Sequence, residues 1–133
     1  MPVIGIVVVS HGQVAGELVN AARNIVGDVP AITAVSIGWA DEMAAAREKI
    51  GQALGEVGGG DVLILTDMFG GTPTNVSLPF LSARVEIVTG VNLPMLIKLA
   101  SVRQTEKLAN AVLAARDAGQ KYINVASTLL SES

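Results

Sequence analysis

Two short runs of aliphatic residues constrain the fold of this chain more than any other feature. They are VIGIVVVS at residues 3–10 and VLILT at residues 62–66, and polar residues do not alternate with the apolar ones in either run. A strand that is apolar on both faces is typical of a parallel sheet covered by helices on both sides. The stretches AITAVSIG at residues 31–38 and RVEIVTG at residues 84–90 predict two further strands.

Helical periodicity separates these predicted strands. Apolar residues recur every three or four positions over residues 14–25, and Gly27 follows where a helix C-cap is expected. The same period covers residues 43–57, with Asp41 as the predicted N-cap and three glycines at residues 58–60 as the stop. Strands that alternate with helices predict parallel pairing through right-handed crossovers. We therefore expect an α/β fold with three layers and the strand order 2-1-3-4.

The last third of the chain predicts two helices and one more strand. Pro94 is expected in the first turn of a short helix. A longer helix is expected over residues 105–118, with Gly119 as its end. The stretch KYINVAS at residues 121–127 predicts a fifth strand at the edge of the sheet, where an unblunted strand tends to find a partner.

Length and composition predict a single domain over residues 1–133 that acts in the cytoplasm. Half of the residues are apolar, cysteine is absent, and no secretory leader pattern begins the chain. The apolar runs are interrupted well before the ~20 residues of a membrane span. A net charge of −3 and only four aromatic residues argue against nucleic acid as a partner.

The functional hypothesis starts from the carboxyl ends of two predicted strands. Ligands of open parallel sheets bind beyond these ends, where the strand order reverses. Ser10-His11-Gly12 follows the first strand, and DMFGGTPTN at residues 67–75 follows the third. In the order 2-1-3-4 these strands are neighbours, so we expect His11 to face Asp67.

This pairing has a chemical use. An imidazole that donates its Nδ1–H to a carboxylate presents the Nε2 lone pair as a nucleophile or base. The FGGT turn at residues 69–72 would add backbone N–H groups and a hydroxyl that suit an anion. Together these features indicate phosphoryl transfer.

Structural interpretations of the same residues stay open at this point. His11 could cap the next helix, and Asp67 could be a turn or N-cap residue. The glycines are also what a tight turn requires, and Asn92 before LPM is interpreted as a helix cap. Nucleotide-binding glycine motifs and a G-x-S-x-G elbow are absent, and one histidine without cysteine makes a metal site unexpected.

Three stretches resemble a known family. GIVVVSHGQVAGEL, LTDMFGGTPTN and TGVNLPMLIKLA are similar to the signature stretches of the mannose-family EIIA domain of the bacterial phosphoenolpyruvate-dependent sugar phosphotransferase system, or PTS. The resemblance covers residues 3–122 in family order. It implies that His11 takes a phosphoryl group on Nε2 from phospho-HPr and passes it to a separate IIB component, without metal or organic cofactor. It also implies that Asp67 holds Nδ1 and that Thr72 lies near the phosphoryl group.

The resemblance extends to further residues, to assembly and to a second function. It implies a homodimer in which the last strand crosses to the partner's sheet. The alternative function is that of a PTS-linked regulatory protein whose phosphorylation state controls a binding partner.

Histidine phosphatases are disfavoured because the chain lacks a second histidine, and receiver domains are disfavoured because it lacks an acidic pair after its first strand. The other predicted site residues are Phe69, Gly70 and Gly71 in the phosphate loop, and Ser10, Gly12, Met68 and Asn92 lining it.

Overall fold

Four parallel strands form the centre of the computed structural model, which describes residues 3–131. The strands are β1 (Gly5–His11), β2 (Ile32–Ile37), β3 (Val62–Thr66) and β4 (Val85–Thr89). The helices are α1 (Val14–Val26), α2 (Met43–Glu56), α3 (Thr72–Ser77), α4 (Leu93–Val102), α5 (Leu108–Lys121) and α6 (Ala126–Ser131). A 3-10 turn, Leu78–Phe80, follows α3, where Pro79 interrupts the helix.

The strand order is β2-β1-β3-β4, which confirms the predicted order 2-1-3-4. Val9 of β1 pairs with Val35 of β2 on one side and with Thr66 of β3 on the other. All three pairings of the sheet are parallel. The carboxyl ends of β1 and β3 therefore meet at one edge of the sheet, which is where the candidate site lies.

Helices cover both faces of the sheet, as the uninterrupted apolar runs predict. Ile6 and Val8 of β1 belong to a core with α1, α4 and α5. Val7 and Val9 belong to a second core with α2 and α3. These four side chains are completely or almost completely buried. Each contributes about 1.5–3 kcal/mol of transfer free energy, so β1 is firmly held up to the residue that precedes His11.

The prediction that Gly119 ends the long helix is wrong. Helix α5 begins at Leu108 and continues through Gly119 to Lys121. A Cβ atom at Gly119 would lie 2.7 Å from Cγ of Met95 in α4. The glycine is therefore required by the close approach of two helices and not by a change of backbone direction.

The predicted N-cap role of Asp41 is also wrong. The N-cap residue of α2 is Glu42. The Asp41 carboxylate instead accepts hydrogen bonds from the Gly38 N–H at 2.8 Å and from Lys49 Nζ at 2.7 Å. The Lys49 ammonium, together with the Gly38 N–H, holds the pKa of Asp41 below its ordinary value. Asp41 thus closes the turn after β2, because one donor, Gly38, lies in the turn itself and the other, Lys49, reaches back from α2.

The predicted fifth strand is absent from the described part of the chain. Lys121 is the last residue of α5, and α6 begins at Ala126. The apolar side chains of Ile123 and Val125, which gave the strand pattern, are exposed. A strand needs a neighbour that takes its backbone hydrogen bonds, and within residues 3–131 the segment pairs with no strand.

Candidate functional site

His11 and Asp67 lie at the meeting point of the two central strands. His11 is the last residue of β1, and Asp67 directly follows Thr66, the last residue of β3. Asp67 Oδ2 accepts one hydrogen bond from the His11 backbone N–H at 2.9 Å and forms a second with His11 Nδ1 at 2.6 Å. The juxtaposition expected from the strand order is therefore present.

The protonation state of Asp67 determines the tautomer of His11. Burial alone raises the pKa of Asp67, but hydrogen bonds from the His11 backbone, the His11 ring and the Met68 N–H outweigh it and lower the pKa below the ordinary value of 3.8. An ionised carboxylate can only accept hydrogen bonds, so Nδ1 carries the proton in this contact. Neutral His11 consequently keeps its lone pair on Nε2.

The loop after β3 is fixed by two buried threonines that the sequence did not indicate. The Thr74 hydroxyl donates to the carbonyl oxygen of Met68 at 2.5 Å, and it lies 2.7 Å from the Thr66 hydroxyl. Because Thr74 has one hydroxyl proton, Thr66 is the donor in the second bond. The Met68 N–H donates to Asp67 Oδ1 at 2.9 Å. The carboxylate and its loop are therefore held as one unit.

Gly71 lies directly beside Nε2 of His11. A Cβ atom at this position would be 2.8 Å from His11 Cε1 and 3.3 Å from Nε2. The backbone of Gly71 is extended, with φ −89°, and any residue could adopt it. The glycine is therefore needed for room next to the imidazole. Thr72 follows as the first residue of α3, and its hydroxyl makes no hydrogen bond within residues 3–131.

The rest of the predicted loop lies further out. Phe69 is 77% exposed and lines a groove on the β4 side of the site with Leu78 and Ile87. Gly70 has a φ of +87° and open space around it, so it serves the turn. Met68 is half exposed at the rim, and its Cγ lies near Gly71.

Three other predicted lining residues have local structural contacts. Ser10 is completely buried, and its hydroxyl accepts from the Ala15 N–H at 2.6 Å, which fixes the turn from β1 into α1. Gly12 has a φ of +52° in the same turn. Asn92 is the N-cap of α4: its side chain accepts from the Met95 N–H at 3.2 Å, which confirms the cap interpretation. Its amide also donates to the carbonyl oxygen of Gly119 at 3.2 Å.

Trp39 belongs to the site although sequence reasoning missed it. Its indole stacks on the His11 imidazole, with ring centroids 5.3 Å apart and an angle of 20° between the planes. Trp39 follows β2, the other neighbour of β1. The rule that placed Asp67 beside His11, that side chains after adjacent parallel strands meet at one edge, also brings Trp39 to this edge. The stacking of the two rings depends in addition on the turn that carries Trp39.

The described residues contain no feature of a metal site or a membrane span. Over residues 3–131, no group of three or more His, Cys, Asp or Glu side chains could hold a metal ion. No helix in the same part of the chain is long and apolar enough to cross a membrane.

Family membership follows from a match over most of the chain. The sequence profile of the EIIA-man family, described as the PTS system fructose IIA component, matches residues 5–115. The chain belongs to this family. The family assignment predicted from the three signature stretches is thereby confirmed, and the PTS EIIA fold carries the His11 site described above.

Related EIIA proteins match along nearly the same length. The PTS system fructose-specific EIIA component of Bacillus subtilis (strain 168) is 29% identical over 132 residues, which are 97% of this chain and 90% of the relative. The PTS system sorbose-specific EIIA component of Lacticaseibacillus casei is 30% identical over 97 residues, 71% of this chain and 70% of the relative. The solved mannose/sorbose specific IIA subunit of Enterococcus faecalis has a TM-score of 0.83 and 28% identity, covering 92% of this chain and 93% of its own.

Proposed function

We propose that this PTS EIIA protein is a phosphohistidine carrier. In this proposal His11 accepts a phosphoryl group from phospho-HPr on Nε2 and passes it to a separate IIB component for sugar uptake, in the cytoplasm. The observation that carries the proposal is the 2.6 Å contact between His11 Nδ1 and the ionised Asp67 carboxylate, which leaves the Nε2 lone pair free beside Gly71.

The proposed transfer needs only groups of this site and the two partners. The Nε2 lone pair attacks phosphorus, the bond between phosphorus and the donor breaks, and its electron pair stays with the donor. The ring then carries a positive charge with the Nδ1 proton retained, and Asp67 stabilises this charge across the hydrogen bond. The free hydroxyl of Thr72 is suited to donate to a phosphoryl oxygen. Transfer to IIB reverses these steps and restores neutral His11.

The test is phosphorylation by the donor chain. Incubation with enzyme I, HPr and labelled phosphoenolpyruvate should give one acid-labile phosphoryl group per chain, and omission of HPr should prevent labelling. His11→Ala should stay unlabelled, and because the sequence holds one histidine, no other imidazole can substitute. Labelling of His11→Ala at the wild-type level would refute the assignment.

A homodimer with an exchanged C-terminal segment forms the second part of the proposal. β4 lies at the edge of the described sheet, and the Ile87 N–H on this strand donates to the Glu86 carboxylate at 2.9 Å. The segment after α5 carries exposed apolar side chains at Ile123 and Val125. Pairing this segment of one copy with β4 of another would bury these side chains and complete the edge.

A further inference from the structure

Trp39 is the only tryptophan of the chain, and its indole lies against the only histidine. The stack is close to parallel, yet 84% of the Trp39 surface remains exposed to solvent. One face of the indole therefore contacts the imidazole, while the rest of the side chain faces the open side of the site. An exposed apolar side chain is ordinary at a protein surface, but the indole of Trp39 is held in place by its turn.

A closed turn holds Trp39 over His11. The Asp41 carboxylate accepts from the Gly38 N–H, and the Asp41 N–H donates to the Gly38 carbonyl oxygen at 3.1 Å. Lys49 of α2 binds Asp41 and also donates to the Ser36 carbonyl oxygen at 3.1 Å, which ties the turn to the end of β2. Trp39 thus projects from a turn that is fixed at both ends and braced by a helix.

The contacts of the His11 ring leave one motion for the indole to restrain. The hydrogen bond to Asp67 fixes the position of Nδ1, and the Gly71 backbone lies near Cε1 and Nε2. A single hydrogen bond still allows the ring to tilt about that nitrogen. A flat indole stacked at 20° to the imidazole limits this tilt and thereby fixes the direction in which the Nε2 lone pair points.

We propose that Trp39 is a positioning residue for phosphoryl transfer at His11. Its indole holds the imidazole plane, and its electron-rich face stabilises the positive charge that the ring acquires when Nε2 bonds to phosphorus. The inference rests on the proposed function of His11 as the phosphoryl acceptor. It goes beyond that function by assigning a role to a residue outside the His11–Asp67 pair and the glycine loop.

A small phosphoryl donor separates positioning from partner docking. With phosphoramidate, Nε2 of His11 attacks phosphorus, the P–N bond breaks, and ammonia leaves with the bonding electron pair. Because this donor is a small molecule, the reaction does not depend on contacts between protein surfaces. We expect Trp39→Ala to slow labelling of His11 by phosphoramidate by about two- to tenfold. With phospho-HPr, the same variant should lower kcat at saturating donor.

Three variants calibrate the measurement. Trp39→Phe keeps an aromatic face and should restore most of the wild-type rate. Leu81→Ala removes another exposed apolar side chain, which lies near the amino end of β4 and away from the carboxyl ends where His11 lies. This variant should leave the rate unchanged. His11→Ala should not be labelled. The His11 ring protons should also move downfield in the NMR spectrum of Trp39→Ala, because the ring current of the stacked indole is lost.

Each outcome decides one question. A wild-type phosphoramidate rate in Trp39→Ala overturns the positioning role, even if KM for phospho-HPr rises, because Trp39 would then only dock the partner. Unchanged ring-proton shifts overturn it as well, and if phosphoramidate does not label wild-type His11, an unchanged kcat with phospho-HPr in Trp39→Ala does. If phosphoramidate labels His11 but phospho-HPr does not, the proposed carrier function fails while the positioning result stands.

Discussion

At the scale of single residues, the candidate site is a histidine whose tautomer is set by one carboxylate. Asp67 Oδ2 binds both the backbone N–H and the ring of His11, so the carboxylate fixes the imidazole relative to β1. Two hydrogen bonds to one oxygen also explain why the pKa of Asp67 is lowered although burial opposes ionisation. The position of the free Nε2 lone pair is therefore a consequence of the sheet order.

The first prediction concerns the chemistry of this pair. Asp67→Asn retains the size of the side chain but removes the charge that selects the Nδ1–H tautomer. We expect phosphoryl transfer from phospho-HPr to slow by on the order of a hundredfold or more. Rapid-quench measurement of the labelling rate checks this. Asp61→Asn is the matched control, because Asp61 lies at the amino end of β3 and pairs with Arg84 at the surface. An equal loss of rate in Asp61→Asn would contradict the prediction.

The second prediction is a pH dependence of stability. The folded-state pKa of Asp67 lies below the ordinary value of 3.8, so folding favours the carboxylate. Its contribution to the free energy of unfolding is present above pH 3.8 and is lost as the pH falls through the folded-state pKa. In urea titrations, the stability difference between wild type and Asp67→Asn should therefore shrink below that pH. A difference that stays constant from neutral pH into this range would contradict the assignment.

At the scale of elements, the two glycines between β3 and α3 have different physical roles. Gly71 has an extended backbone but no room for a Cβ beside His11, whereas Gly70 has room but a φ of +87°. One glycine leaves room for the imidazole, and the other serves the turn.

This difference gives a third prediction. Gly71→Ala should displace the imidazole and slow phosphorylation by about ten- to a hundredfold without backbone strain. Gly70→Ala should instead destabilise the fold by about 1–2 kcal/mol while the rate per folded molecule falls less. Urea midpoints and labelling rates of both variants check the contrast. A wild-type rate in Gly71→Ala would show that the ring can move aside at no cost.

The sequence predicted those elements whose pattern is local. The alternation of strands and helices was sufficient to predict the sheet order, and the polar residues after β1 and β3 then predicted the approach of His11 to Asp67. The stacking of Trp39 on His11 was missed because it depends on a turn that closes between Gly38 and Asp41 and is braced by Lys49 of α2, which no residue pattern announces. The role of Gly119 was mistaken because a glycine that ends a helix and a glycine that makes room for a neighbouring helix look alike in sequence.

At the scale of the whole molecule, two regions of the described structure lack a partner and could pair with each other between two copies. They are the outer edge of β4 and the segment between α5 and α6. β4 has an open outer edge, and next to it lies a groove of about 470 Å³ that Ile87, Val88 and Leu113 help to line. The segment between α5 and α6 carries an apolar alternation, yet Ile123 is 76% exposed. The strand predicted for this segment is wrong for the single chain, but the same pattern suits pairing with a second copy.

The last prediction tests this exchange through the oligomeric state. Ile123→Lys places a charge where the proposed dimer would bury an apolar side chain, and the cost of burying an unpaired charge exceeds what a short edge strand can offset. We expect the wild type to be a dimer and Ile123→Lys a folded monomer at micromolar concentration, measured by light scattering after size exclusion. Ile25→Lys changes another exposed isoleucine, on α1, which packs beside β1 and β2 and away from β4, and should remain dimeric. A monomeric wild type, or a dimer that both variants retain, would refute the exchange.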